Sequence, residues 1–307
     1  MKHISFILIL FSCSIQEKEI PKRNNESSDY NTLINLFKGW REFEKPSMLN
    51  GAPDYTEERF IKNDKTFKDL QSQLSEIKIN DWPIDKQIDW HIIRAEMNGY
   101  DFNYRILRPW VRDPAFYQTI WMHQSDVPAH EGPTNHGVLE FWMYDLPLNN
   151  ESKEKFMKEI LSITPFLIQA RSNLTGNAKD LWIAGIENFK QQYNNLNIIK
   201  SKLSFDQNDK INEAIEEAKV STLNFIEWLE KESNNKTGPS GIGKENYTWY
   251  QKNVHLVPLA WEDEVRLLQR ELDRAWSSLK LEEHNNKNLP QLVAADTPEK
   301  FKKLTEN

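Results

Sequence analysis

The sequence predicts an all-α fold, an irregular multi-helix array carried by long amphipathic helices. Three observations lead there. Apolar residues recur at helical steps along most of the chain, no stretch sustains the alternation of a half-buried strand, and only 10 of 307 residues are glycine. The length fits one large or two ordinary domains. Mean hydropathy is −0.72 and 28% of residues are charged, yet there are 11 Trp and 15 Phe. Such a chain folds by burying a few large side chains, each removing much apolar surface from water. Acidic residues number 46 against 39 basic, a net charge of −7. No basic stripe for phosphates follows from that balance, so nucleic acid is not expected as a partner.

Residues 1–13 read as a signal peptide. Lys2 and His3 form a polar start, and Ile4 to Phe11 is an apolar run far short of the roughly 20 residues that span a bilayer. "LFSC", Leu10 to Cys13, ends it with the chain's sole cysteine. A small residue before Cys is similar to the bacterial lipoprotein signal, which predicts lipidation at Cys13 and a membrane contact through a lipid anchor in the cell envelope. The alternative is an ordinary signal peptide with a stray cysteine. Residues 14–29, "SIQEKEIPKRNNESSD", have hardly an apolar side chain and read as a flexible tether. Residues 30–307 are the helical domain.

Within it, "PIDKQIDWHIIRAEMNGYDFNYRI" places Ile84, Ile88, Ile92, Ala95, Phe102 and Ile106 at steps of three, four and seven, a helix of about six turns. Pro83 and Asp85 suit its first turn. Residues 151–174 put Phe156, Ile160, Leu161, Leu167 and Ala170 on one face, with Pro165 expected to kink or split the helix. Residues 177–193 carry Leu181, Ala184, Ile186 and Phe189. Residues 207–232 carry Ile211, Ala214, Ile215, Ala218, Leu223, Ile226 and Leu229. From Trp261, the residues Val265, Leu268, Leu272, Ala275, Trp276 and Leu279 oppose a charged face, and Glu262, Asp263 and Glu264 occupy the first turn, where the helix dipole favours anions.

Two segments are left as loops, 108–150 and 234–258, where function tends to collect. The first holds the aromatic run Trp110, Phe116, Tyr117 and Trp121, which suits a core better than a ligand platform. It also holds "HEGPTNH", residues 130–136. A zinc-peptidase helix needs two histidines at i and i+4 with Glu directly after the first and two residues after that Glu, because that spacing stacks both imidazoles on one face. Here four residues follow Glu131 before His136, and Gly132 and Pro133 interrupt any helix. The segment therefore reads as a polar loop. The rival reading, a metal wrapped by His123, His130, Glu131 and His136, lacks a known ligand spacing.

The second loop clusters Gly238, Gly241 and Gly243 ahead of Tyr247, Trp249 and Tyr250. Neither phosphate-loop nor dinucleotide spacing is present, so the glycines suit a tight turn and the aromatic rings could line a groove. The block Gly241 to Pro290, "GIGKENYTWYQKNVHLVPLAWEDEVRLLQRELDRAWSSLKLEEHNNKNLP", resembles the bacterial domain-of-unknown-function 885 family. "QIDWHIIRAEMN" at 87–98 and "RDPAFY" at 112–117 are similar to further family segments.

The resemblance implies a helical fold related to zinc-peptidase architectures, with a His- and Glu-bearing metal helix in the later part of a complete member. No histidine follows His284, so the resemblance covers the N-terminal half only. No metal ligand or catalytic residue is carried over, and zinc is expected only in a complete member. What carries over is Gly241, Gly243, Tyr247 and Tyr250, a segment that would border a peptide-substrate cleft. A packing role for the two tyrosines is the competing reading. The expectation is the helical portion of a zinc-dependent peptidase or hydrolase, lipid-anchored in a bacterial envelope and lacking its C-terminal half. The alternative is a non-catalytic lipoprotein that binds peptides or glycans.

Overall fold

The structure is a computed structural model that describes residues 28–124, 139–203, 209–290 and 294–305. Cys13 and the apolar run before it, most of the tether, and His130, Glu131 and His136 lie outside the described residues. Helices dominate, as the periodicity requires. The strands among the described residues are two short pairs.

Helix α1 (Tyr30–Glu44) starts where the Asp29 carboxylate accepts the Asn31 N–H at 3.1 Å. It stops before Pro46, which forces Lys45 into extended backbone. Asp29 and Ser28 were expected in the tether, but they belong to the folded body. The Ser28 carbonyl accepts the Trp82 indole N–H at 2.8 Å. Strands β1 (Met48–Leu49) and β2 (Ala52–Pro53) then form a hairpin. Its turn, Asn50-Gly51, has φ of 52° and 86°, the left-handed pair that an Asn-Gly turn supplies at least cost. Helix α2 (Glu57–Glu76) is capped by Thr56 and carries Glu57 and Glu58 in its first turn.

Helix α3 (Ile84–Phe102) follows Pro83. Its expected face is buried only in part. Ile84, Ile88 and Ile92 are 76%, 50% and 46% exposed, while Ile93 and Met97 pack with Leu33, Trp40 and Phe67 of α1 and α2. The inward residues Trp90, Ile93, Met97 and Tyr100 lie on nearly the opposite side of the helix from the predicted stripe, whose later members Ala95 and Phe102 are nevertheless buried, at 6% and 1% exposure. The aromatic surface of α1 and α2 covers the face of Ile93 and Met97, and Phe102, on the predicted stripe, is covered from elsewhere in the chain.

A π turn (Asn103–Leu107) and Arg108, in left-handed backbone at φ 43°, end this unit. The segment expected as a loop from 108 is more ordered than that. It contains α4 (Pro109–Arg112), a 3₁₀ turn (Pro114–Tyr117), and β3 (Ile120–Trp121), which runs parallel to β4 (Leu139–Glu140). Trp110, Phe116 and Tyr117 join the main core, whereas Trp121 is 44% exposed. Backbone groups here lack long strands to pair with, so buried side chains satisfy them. Gln192 accepts the Thr119 N–H at 2.9 Å. Gln169 accepts the Tyr55 N–H at 2.8 Å and donates to the Pro53 carbonyl at 3.1 Å.

Helices α5 (Asn150–Leu161), α6 (Ile163–Asn173), α7 (Lys179–Leu203) and α8 (Lys210–Ser233) carry the main core. The expected break near Pro165 occurs at Ser162, three residues earlier. Pro165 thus falls in the first turn of α6, where a missing N–H costs nothing. Leu161, placed on the inward face by periodicity, is exposed beside this break, and Ala184 and Leu223 also face out. Helix α7 packs against the 3₁₀ turn at Gly185, where an added Cβ would stand 2.6 Å from the Pro114 Cβ. Residues 234–258, expected as a loop, contain α9 (Lys244–Asn253). Helices α10 (Trp261–Asn285) and α11 (Pro298–Thr305) follow, and none of these last three buries a residue.

Candidate functional site

The glycine segment is pinned to the body before α9 begins. Asn177 accepts the N–H groups of Thr237 and Gly238 at 2.7 and 2.8 Å. Backbone approach there is so close that a Cβ at Gly238 would meet the Asn177 carbonyl oxygen at 2.3 Å. Ser240 accepts the Asp180 N–H at 2.9 Å and so caps α7 from outside that helix. Arg112 donates to the Ser240 carbonyl at 3.0 Å. Gly243 precedes α9 at φ 82°, left-handed backbone that glycine adopts without strain. Gly241 is exposed, with open space where a side chain would stand.

Helix α9 then lies antiparallel on the end of α3. Trp249 stacks on Phe102 at 5.5 Å and 10°, and Tyr250 meets the same ring at 4.9 Å. Asn98 donates to the Asn253 carbonyl at 2.9 Å, and a Cβ at Gly99 would sit 3.3 Å from Val254. On the other side α9 meets the first turn of α10. Thr248 accepts the Trp261 N–H at 3.1 Å, and the Lys244 ammonium lies 3.8 Å from the centre of the Trp261 ring. Asp263 accepts the Ala260 N–H at 3.1 Å, closing the start of α10.

A polar string crosses this elbow. The Tyr247 hydroxyl donates to Glu264 and accepts from Gln251 at 2.9 Å, and the Gln251 carbonyl oxygen meets His255 Nδ1 at 3.1 Å. The Tyr250 ring stands edge-on to His255 at 4.9 Å. The hydrogen bond to Glu264 raises the Tyr247 pKa, so the phenol stays protonated. That phenol already uses its proton and accepts a second bond. Chemically it is a brace between helices rather than an acid poised for a substrate.

Of the four residues expected at a substrate cleft, Gly243 starts α9 and Tyr247 and Tyr250 help hold it between α3 and α10, while Gly241 stands exposed ahead of it. Gln251, His255 and Glu264 belong to the same string and were not singled out. The signal for Gln251 was legible, because 247 and 251 share one helical face at a step of four; His255 lies just past the end of α9. Glu264 could only be added once α10 folded back. Among the described residues, no three His, Cys, Asp or Glu side chains converge in a way that could hold a metal ion. An open apolar depression of about 570 Å³ lies between the Asn50-Gly51 turn and α5, and shares no lining residue with the elbow.

No family model matches the chain, and no curated protein does. Among solved structures, the chain is similar to a Shewanella oneidensis protein of unknown function described as a candidate lipoprotein, at 12% identity and a TM-score of 0.57. The match covers 91% of this chain and 52% of that one. At this identity the likeness speaks for a shared helical fold, and the chain spans about half the neighbour's length.

Proposed function

We propose that this chain is the helical framework of a bacterial envelope lipoprotein of zinc-peptidase type, and that hydrolysis requires polypeptide beyond these helices. The observation that carries this reading is the elbow followed by α10. That helix is 25 residues long, is fixed at its first turn, and buries none of its apolar side chains. A helix with such a face gains stability only against further structure. A neighbour of about twice the matched length agrees with that.

In this reading the framework supports one wall of a peptide channel, with Tyr247 and Tyr250 setting the position of α9 along it. The lipid on Cys13 holds the framework at the membrane. The test compares peptidase activity, with zinc added, of the 307-residue chain and of the same chain extended by the remainder of a complete family member. Activity is expected only in the extended protein. Equal activity in both would refute the reading.

A second reading, peptide or glycan capture without turnover, is favoured by one feature. The ring of Tyr250 stands half-exposed beside exposed His255 at the surface of the elbow. Calorimetric titration with envelope peptides, repeated after Tyr250→Leu, separates the two. Capture requires binding that disappears while the far-ultraviolet spectrum is retained.

A further inference from the structure

From Val265 onward nearly every residue of α10 is exposed, and its hydrogen bonds to other elements come from Trp261 and Glu264 at its start. The remaining turns form an arm. Along it Val265, Leu268, Leu272, Trp276 and Leu279 are 41–67% exposed. Their steps of three, four, four and three average 3.5 residues, the repeat by which one helix receives another rather than a small ligand. The other face is laced by ion pairs, Arg266 with Asp263 and Arg274 with Glu271.

Charge narrows the choice of occupant. Residues 261–285 hold seven acidic side chains against four basic ones. An anionic lipid surface would repel that helix, since peripheral helices that lie on such membranes carry an excess of Lys and Arg. A second copy would set two net-acidic flanks together. A helix with basic flanks suits both the stripe and the charge. About half of the neighbour's length lies outside the match, so this fold occurs with enough additional chain to supply one.

We propose that the apolar stripe of α10 seats a second amphipathic helix with basic flanks, contributed by polypeptide additional to these 307 residues. The inference rests on the framework reading and names the surface through which the framework is completed.

The test uses the full chain and a synthetic helix of about four heptads, leucine at a and d and lysine at e and g. Titration calorimetry should show saturable binding. The double variant Leu268→Gln, Leu272→Gln keeps the charge of α10 and alters only exposed side chains. It should retain the circular dichroism of the parent and lose about tenfold or more in affinity, the equivalent of ~1.4 kcal/mol. Unchanged affinity in the variant would overturn the proposal. So would binding of phosphatidylglycerol vesicles in place of the peptide, or a dimer in sedimentation equilibrium that the same variant dissolves. Because the experiment reads binding and the peptidase comparison reads turnover, failure of this inference is distinguishable from failure of the framework reading.

Discussion

Tyr100 lies among Trp40, Phe43 and Phe67, with ring centres 4.7–5.6 Å away. Burial pushes its phenol up from 10.0 to about 12. An acid whose folded pKa is raised contributes stability that is present below the unfolded value and lost as pH rises through the folded one. Stability should therefore fall between about pH 10 and 12, with Tyr100 responsible for on the order of 2–3 kcal/mol. Tyr100→Phe keeps the ring, and denaturant melts across that range should show a shallower decline; an unchanged slope would place the alkaline sensitivity elsewhere. Tyr247 offers a different residue-scale outcome. Tyr247→Phe removes the hydroxyl shared by Glu264 and Gln251. Amide exchange in the first turns of α10 should accelerate while the main core, remote in the chain of contacts, keeps its protection.

Elements respond where backbones touch. Gly185 lets α7 press on Pro114, and the nearest atoms are a rigid ring and the Ala115 backbone nitrogen. They cannot swing aside as a flexible side chain would. Gly185→Ala should destabilise the protein by about 1–3 kcal/mol through overpacking, although Ala favours a helix by roughly 1 kcal/mol at an open position. A thermal midpoint at or above the parent's would show that the turn yields. Ser240 makes a comparable statement about α7, because its cap comes from a residue 60 positions away. Ser240→Ala should cost about 1 kcal/mol, measurable as a lowered denaturation midpoint with an unchanged denaturant slope.

At the scale of the molecule, two cores share the chain. One joins α1, α2 and α3, and the other joins α5 to α8 with the irregular segment from 109 to 120. Helix α9 packs on the end of α3 at Phe102, and α10 leaves the body. The "HEGPTNH" segment lies outside the described residues, so its chemistry is a question for composition rather than geometry. Elemental analysis of the purified protein should find no stoichiometric zinc. Zinc that is present and disappears on replacing His130 and His136 would establish the metal loop.

Local physics made much of this legible. Asp209 caps α8 and Asn149 caps α5 as their types predict. Phe156, Ile160, Phe189, Ile215 and Leu229 are buried on the faces that 3.6-residue periodicity assigns them. The caps of α1 and α2 and the Asn-Gly turn carry equally plain signals, although those elements were not predicted. Other features lay beyond periodicity. On α3 the predicted stripe is buried at Ala95 and Phe102 but open at Ile84, Ile88 and Ile92, and only the placement of α1, α2 and α9 decides which parts are covered. Gln169 and Gln192 look like ordinary surface residues in a sequence, but sit in the core because distant irregular backbone needs their hydrogen bonds. Gly241, Gly243, Tyr247 and Tyr250 were expected together through the family resemblance; the elbow adds Glu264 through a fold-back that no local pattern encodes. A sequence specifies which residues prefer to leave water and which ends of a helix can be capped. Which apolar face wins, and which stays open on α10, is decided only when the other surfaces are in place.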